Sequence, residues 1–253
     1  GVYFEGSGEE WDTLSVGEGN DAFLVAGRKT YQASGTYGSN LAWALDWDGV
    51  LTVSGSGKMQ DFYIQEQRNR PWYGVRNDVR EVVIESGITS IGVYAFDSFS
   101  NLRSVSIPES VESIGLSAFG ACVSLTGIAL PSRIDTLDIS TFFNCASLTN
   151  VGLPDGLRQI GSSVFKQCTS LERIIIPEGV VEIDNGAFNS CTRLREIVLP
   201  SSLKTLDDGV FNDCNNLSTV YYLGTDAQWK AINKGMNPEL ECAELITDWN
   251  VKT

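Results

Sequence analysis

The chain has 253 residues, of which 42% are hydrophobic, and 32 acidic against 18 basic side chains give it a formal net charge of −14. A phosphate-binding surface would have to overcome this negative field, so no nucleic-acid partner is expected, and no apolar run approaches the roughly 18 residues that suggest a membrane span. The sequence has no histidine, which excludes hydrolase sites that depend on an imidazole and leaves a cysteine nucleophile without its usual base. We therefore expect no enzyme activity, no cofactor, no metal site and no direct membrane insertion.

The first segment of the chain has a near copy close to the other end. Residues 2–17 align without a gap with residues 220–235, and after a shift of one residue the match continues to Ala26 and Ala243. The second copy follows the last repeat, where an end cap must cover an exposed core and an unpaired strand edge. We therefore predict that residues 1–30 are the end cap of a preceding module in a protein with tandem modules.

The next segment carries the signals of a β-hairpin. Apolar residues alternate through 41–45, a turn sequence follows at 46–49, and the alternation resumes through 51–53. We predict that residues 31–76 form an N-terminal β-hairpin cap, with Trp72 close to the first repeat.

The remainder is dominated by a repeat of 23 residues. Six phenylalanines return at this interval: Phe96, Phe119, Phe142, Phe165, Phe188 and Phe211. Five cysteines keep the same interval, at Cys122, Cys145, Cys168, Cys191 and Cys214, and so do five prolines, at Pro108, Pro131, Pro154, Pro177 and Pro200. A fixed period of this length indicates stacked units that bury their apolar faces only against their neighbours.

Each coil of the repeat reads as a short strand, a return segment and a corner. Val105 and Ile107 alternate with polar residues, and Pro108 ends that strand because it has no N–H for a ladder. We interpret a later glycine or aspartate as the corner, because these residues tolerate turn geometry that includes positive φ: Gly92, Gly115, Asp138, Gly161, Asp184 and Asp207.

The cysteine ladder allows three interpretations. Equivalent Cα atoms of stacked coils lie about 5 Å apart, which a disulfide could span. Parallel side chains in an odd-numbered ladder cannot all pair, however, and a zinc site would need converging ligands that this pattern lacks. We therefore favour buried free thiols over disulfides or metal ligands.

These observations define the fold class and its boundaries. We predict a repeat solenoid with a parallel strand stack over residues 77–222, mostly β with short turns and helical segments. A C-terminal cap follows at 223–253, with a short helix that begins after Thr225 and directs Trp229 and Ile232 toward the core.

The coil pattern, with proline after the strand and an Ala-Phe-x-x-Cys block, resembles the BspA-like, treponemal-type leucine-rich repeats over residues 79–222. The segments before and after it are also similar to those that flank such repeats in bacterial surface proteins. This resemblance implies a leucine-rich repeat protein of host-associated bacteria, extracellular or on the cell surface, with adhesion to host proteins or other cells. It supplies no catalytic residues.

The outward positions of the strands suggest where a partner would bind. In the middle of the repeat region these positions hold small residues, whereas toward the C-terminal end they hold apolar and aromatic residues beside charged ones. An apolar strip with a charged rim is a candidate interface, although β-branched residues also simply suit an exposed strand. The candidate partner-binding residues are Arg173, Ile175, Glu196, Val198, Thr219 and Tyr221.

Three functions remain open at this point. The leading hypothesis is a noncatalytic, monomeric module that binds a protein or glycan on a host or neighbouring cell through the strand face. The alternatives are a structural spacer between tandem modules and a carbohydrate-binding cap that uses Trp43, Trp47 or Trp72, of which only Trp47 lies at a turn where it should be exposed.

Overall fold

A computed structural model describes residues 31–38, 40–63 and 68–248. The end cap predicted at residues 1–30 lies outside the described residues. The N-terminal strands are β1 (Tyr31–Tyr37), β2 (Leu41–Asp46), β3 (Val50–Gly55) and β4 (Gly57–Lys58), and a 3-10 helix follows at Tyr73–Val75.

Each of the first six repeats then contributes two strands, and the seventh contributes one. The first strands are β5 (Glu81–Ile84), β7 (Ser104–Ser106), β9 (Gly127–Ala129), β11 (Asn150–Gly152), β13 (Arg173–Ile175), β15 (Glu196–Leu199) and β17 (Thr219–Tyr222). The second strands are β6 (Ile88–Ile91), β8 (Ser113–Ile114), β10 (Thr136–Leu137), β12 (Gln159–Ile160), β14 (Glu182–Ile183) and β16 (Thr205–Leu206). Helices α1 (Asp226–Ala231) and α2 (Glu239–Cys242) and strand β18 (Glu244–Ile246) complete the chain.

The predicted repeat solenoid is confirmed. First strands stack in parallel on first strands and second strands on second strands, so that each coil has a first-strand face, a second-strand face and a turn side. The turn side of a coil runs from the end of its second strand to its cysteine. The apolar side chains of all three sides meet in one continuous core.

The repeated phenylalanines form a stacked column inside the turn side. Neighbouring rings from Phe96 to Phe211 have centroids 5.3–5.8 Å apart and planes within 7–15° of each other. Trp72 stacks on Phe96 at 5.5 Å and so occupies the place of one further ring at the N-terminal end. The 23-residue spacing of the phenylalanines is therefore a spacing between stacking partners.

A hydrogen-bond ladder on the turn side joins each coil to the next. In one coil, the N–H groups of Ser117, Phe119 and Ala121 donate to carbonyls of the following coil at 3.0, 3.0 and 2.6 Å. The same alternation of donors recurs in the neighbouring coils. Because the carbonyl preceding each of these N–H groups accepts from the coil before it, the linking peptide groups all point in one direction along the solenoid.

The predicted location of positive φ is wrong. The glycine or aspartate corner does not adopt it; two other positions of each coil do, such as Ser117 at φ 51° and Ala121 at φ 53°. The left-handed conformation turns alternate peptide groups toward the next coil, so the hydrogen-bond ladder determines which residues adopt positive φ. At the corner, glycine instead permits a close approach, since a Cβ on Gly92 would lie 1.9 Å from the carbonyl oxygen of Gln60.

The N-terminal segment extends the stack as a hairpin. Strands β2 and β3 pair antiparallel, which confirms the predicted hairpin, and β3 then pairs in parallel with β5. On the turn side, the first coil's carbonyls accept from the N–H of Phe62 (to Val93, 2.9 Å), from Trp72 Nε1 (to Ala95, 2.8 Å) and from Arg70 Nη1 (to Asp97, 2.9 Å).

The C-terminal segment closes the other end. Helix α1 begins at a capping box formed by Thr225 and Gln228, and Trp229 and Ile232 are buried, as predicted. Strand β18 pairs in parallel with the edge of β17. The exact division of the chain into caps and solenoid stays a prediction.

The acceptors of the C-terminal segment complete the turn-side ladder. The N–H of Gly209 donates to the carbonyl of Met236 at 2.9 Å, that of Phe211 donates to Asn237 Oδ1 at 3.2 Å, and that of Asp213 donates to Glu239 Oε1 at 3.3 Å. Asn237 is itself buried, and its Nδ2 donates to the carbonyl of Asp207 at 2.8 Å.

Replacement of Ala121 by glycine should stabilise the protein. Ala121 has φ 53°, where a Cβ is unfavourable, so we expect Ala121→Gly to raise the free energy of unfolding by about 0.5–1 kcal/mol. Urea unfolding measures the change. Ala146→Gly in the next coil is the control, because Ala146 lacks positive φ and should lose stability. Equal losses in both variants would contradict the prediction.

Removal of the Asn237 side chain should weaken the attachment of the C-terminal cap to the last coil and so lower the free energy of unfolding. Asn237→Ala leaves the buried N–H of Phe211 and the carbonyl of Asp207 without this partner, which we expect to cost about 1–3 kcal/mol. The exposed Asn212 is the control, and Asn212→Ala should change the free energy of unfolding by less than about 0.5 kcal/mol. Thermal unfolding monitored by circular dichroism distinguishes the two.

Candidate functional site

The six candidate residues lie together at the C-terminal end of the first-strand face. Arg173, Glu196 and Thr219 are aligned across β13, β15 and β17 in one row. The parallel register aligns the other three in a second row: Ile175, Val198 and Tyr221. The sequence therefore placed the residues in the correct register.

The first row carries an ion pair. Arg173 Nε lies 3.4 Å from Glu196 Oε2, and about half of each side chain is exposed. A pair so open to solvent contributes little to stability, because water and salt screen it and ordering the side chains costs entropy. It does place opposite charges side by side at the edge of the apolar row.

The second row is less exposed than predicted. Ile175 is 48% exposed, but Val198 has an exposed fraction of 0%, and Tyr221 is partly buried. The prediction that Val198 is available to a partner is therefore wrong. Its short side chain lies between two longer ones in the register, so Ile175 and the accessible part of Tyr221 remain as the apolar surface.

The middle of the first-strand face is flat. Its outward positions are occupied by small or polar side chains, most of them exposed: Ser104, Ser106, Gly127, Ala129, Asn150 and Gly152. The structure therefore contains a flat, weakly featured region directly beside Arg173 and Ile175.

The aromatic residues proposed for carbohydrate binding are mostly inaccessible. Trp43 is 8% exposed and Trp72 is 0% exposed, so neither presents a ring face to a sugar, and this part of the hypothesis is wrong. Trp43 packs edge-on against Trp72 inside the N-terminal cap. Trp47 is 50% exposed at the hairpin turn, as its position predicts.

A cleft in the C-terminal cap was not indicated by the sequence. It has a volume of about 660 Å³ and is lined largely by apolar side chains, among them Trp229, Met236 and Leu240. Lys234 Nζ lies 5.1 Å from the centroid of the Trp229 ring and donates to the carbonyl of Trp229 at 2.7 Å. The first copy of the duplicated segment has Val16 at the position of Lys234, so a comparison of the two copies gives no sign of the contact between Lys234 and Trp229.

The ladder cysteines are buried free thiols, as favoured from the sequence. Each Sγ donates to the carbonyl of the phenylalanine of the preceding coil, at 3.0–3.3 Å. Burial raises the pKa of the thiols of Cys122, Cys145, Cys168 and Cys191, that of Cys168 to about 12. A thiol that stays protonated is a poor nucleophile and a poor metal ligand, so the ladder has a structural role.

Two further features bear on the possible activities. Among the described residues, no group of three or more cysteine, aspartate or glutamate side chains is arranged to hold a metal ion. No helix in the same residues is both long enough and apolar enough to cross a membrane.

Comparison with known proteins identifies the repeat type. The family model described as BspA type leucine rich repeat region matches in six copies, over residues 73–165 and 121–231. None of the curated proteins matches the sequence significantly.

Several solved structures of leucine-rich repeat proteins match the chain. The leucine-rich repeat protein of T. pallidum is 26% identical with a TM-score of 0.57, and the match covers 79% of this chain and 98% of that one. A leucine-rich repeat protein from Eubacterium ventriosum is 24% identical over 75% of this chain and 72% of its own, with a TM-score of 0.41. A leucine rich cell surface protein from Faecalibacterium prausnitzii is 16% identical over 81% and 98%, with a TM-score of 0.42.

The burial of the ladder predicts its reactivity. A thiol reagent such as a chromogenic disulfide should modify one thiol per native chain, at the exposed Cys242, and all six cysteines in denaturant. Replacement of Cys242 by serine should abolish the fast reaction in the native protein. Rapid native labelling of Cys168 or its neighbours would show that the ladder is accessible, contrary to this expectation.

Proposed function

Because the chain belongs to the BspA-type leucine-rich repeat family, we propose that it is a noncatalytic interaction module that binds a protein partner through the C-terminal end of its first-strand face. The observation that carries the proposal is the exposure of Ile175 directly beside the ion pair of Arg173 and Glu196. An exposed aliphatic side chain with charged neighbours has the composition of a small interface core with a polar rim. Thr219 and Tyr221 continue the same two rows.

A protein partner is favoured over a glycan by the distribution of aromatic side chains. Sugar-binding surfaces present aromatic ring faces, and two of the three tryptophans considered for this role are buried. The proposed location is extracellular or on the cell surface, which follows from the bacterial surface proteins that the repeats resemble. Adhesion to a host or neighbouring cell is the corresponding biological role.

The test is a binding screen of the chain against extracellular-matrix proteins, with mucin-type glycans in parallel. The site variant Arg173→Glu/Ile175→Ser removes the exposed aliphatic group and reverses the charge beside it. The control variant Arg158→Glu/Val181→Ser makes the same kinds of change at two exposed residues away from the first-strand face. Both variants are checked for folding by their melting curves.

We expect the site variant to lose at least about tenfold in affinity for a matrix protein, as the loss of about 1.4 kcal/mol in an interface does, while the control binds normally. Equal binding by both variants would contradict the proposed surface. Binding of glycans alone would contradict the proposed class of partner. No binding by the unmodified chain would favour the structural spacer.

A further inference from the structure

The strand ladders on both faces are interrupted at the same junction. Strand β7 is the last of the sheet β1-β2-β3-β5-β7, and β9 pairs only with β11 in the described part of the chain. On the second-strand face, β8 ends the sheet β4-β6-β8, and β10 begins the sheet β10-β12-β14-β16. We call the junction between the coil with β7 and β8 and the coil with β9 and β10 the seam.

The seam differs from the other junctions of the described repeats. Between β11 and β13 only the first-strand ladder is interrupted, because β12 and β14 remain paired. At the junction of the coils with β13 and β15, both faces are paired. The seam is therefore the place in the described repeats where neither strand ladder joins adjacent coils.

The turn side continues across the seam. Ser117, Phe119 and Ala121 donate to Ile139, Thr141 and Phe143 in the next coil, and the rings of Phe119 and Phe142 are stacked at 5.8 Å. The coils are thus held mainly by backbone bonds along the turn side. Beside the first strands the N–H of Thr126 still donates to the carbonyl of Arg103 at 3.3 Å, but β7 and β9, and β8 and β10, are not paired. This is the arrangement of a joint with its axis on the turn side.

The outward side chains at the seam give strand pairing little support. Ser104 and Ser106 face Gly127 and Ala129 across the seam, whereas Ile175 faces Val198 at the paired junction. Cross-strand pairs of large or β-branched side chains stabilise a sheet, and glycine within a strand weakens it. Small outward residues therefore add little to pairing at the seam, although they do not abolish pairing by themselves, because β9 and β11 are paired with Ala129 opposite Gly152.

The core is also looser beside the seam. Val105 and Ile107 point inward from the coil with β7 but are only partly buried. The equivalent residues at the paired junction, Ile174 and Ile176, are fully or almost fully buried. Less apolar area is therefore removed from water at the seam, which lowers the cost of separating its strands.

Exposed side chains bridge the seam at its surface. Glu109 Oε2 accepts from the N–H of Ser132 at 3.0 Å and from its hydroxyl at 2.7 Å. Arg133 pairs with Glu112 across the same junction. The same bridge recurs at the paired junction, where Glu178 accepts from the N–H and hydroxyl of Ser201 at 2.9 and 3.2 Å. These side-chain bridges connect adjacent coils, and at the seam they do so where the strands themselves are not paired.

We propose that the seam is a built-in joint at which the solenoid opens first. Residues 41–63 and 68–122 move as one block, and residues 125–246 move as the other, about the turn-side ladder. Opening separates β7 from β9 and β8 from β10 while the turn-side bonds persist. The joint does not depend on the proposed binding surface, which lies entirely within the second block.

Hydrogen exchange of the intact chain, followed by mass spectrometry, tests the joint. Under native conditions we expect the amides that face the seam, those of Ile107 and Thr126, to exchange at least about tenfold faster than their equivalents at the paired junction, as local opening below the global free energy produces. These equivalents are the amides of Ile176 and Arg195, which donate to the carbonyls of Val198 and Glu172. The turn-side amides of Ser117, Phe119 and Ala121 should remain protected. Equal protection of the two sets of amides against exchange would overturn the proposal.

A double variant and a pair of single variants test the cause. Ser106→Val/Ala129→Val introduces two β-branched side chains opposite each other, as Ile175 and Val198 are at the paired junction, and it should slow exchange of the Ile107 and Thr126 amides several-fold. Glu109→Ala should speed the same exchange, whereas Glu178→Ala, the matched change at the paired junction, should leave the amides of Ile176 and Arg195 protected. Unchanged exchange in the valine variant, or equal local effects of the two glutamate variants, would contradict the joint.

Discussion

The turn-side ladder is the constraint on which the rest of the structure depends. Its linking peptide groups all direct their carbonyls toward the N-terminal end and their N–H groups toward the C-terminal end. Aligned peptide dipoles leave partial negative charge at the carbonyl end and partial positive charge at the other. One cap must therefore donate and the other must accept, and the ends follow this rule: the Arg70 guanidinium covers the carbonyls, and the Glu239 carboxylate accepts from the last N–H.

The N-terminal cap shows what this polarity requires of a buried charge. Arg70 is buried, and its guanidinium lies within 5.9 Å of the centroid of the Phe99 ring. Burial lowers the pKa of Arg70 and raises the pKa of Asp97, and the attraction between the two charges opposes both shifts. Asp97 Oδ2 also accepts from the Ser98 hydroxyl at 2.8 Å, so this buried carboxylate is hydrogen-bonded as well as close to a charge.

The sequence predicted what recurs and missed what depends on distant contacts. The 23-residue period of phenylalanine and cysteine, the hairpin and the capped helix follow from local patterns, and the structure contains each of them. Positive φ was misplaced because Ser117, Ala121 and Gln167 adopt it for the sake of the next coil, and none of these residue types signals it. The burial of Val198 likewise depends on its neighbours in adjacent coils, because alternation alone marks it as outward.

The outward row of the first strands links the candidate site to the mechanics of the solenoid. Where the row contains Ile175, Val198 and Tyr221, the side chains both maintain the ladder and form the proposed binding surface. Where it contains Ser106, Ala129 and Gly152, the face is open but the ladder is interrupted on either side of β9 and β11. A side chain large enough to support pairing between strands is also large enough to contact a partner, so the row contributes to both properties, although β9 and β11 pair with Ala129 opposite Gly152. The proposed binding surface therefore lies at the end of the solenoid where the first strands are paired through β13, β15 and β17, and the proposed joint lies among the small outward residues.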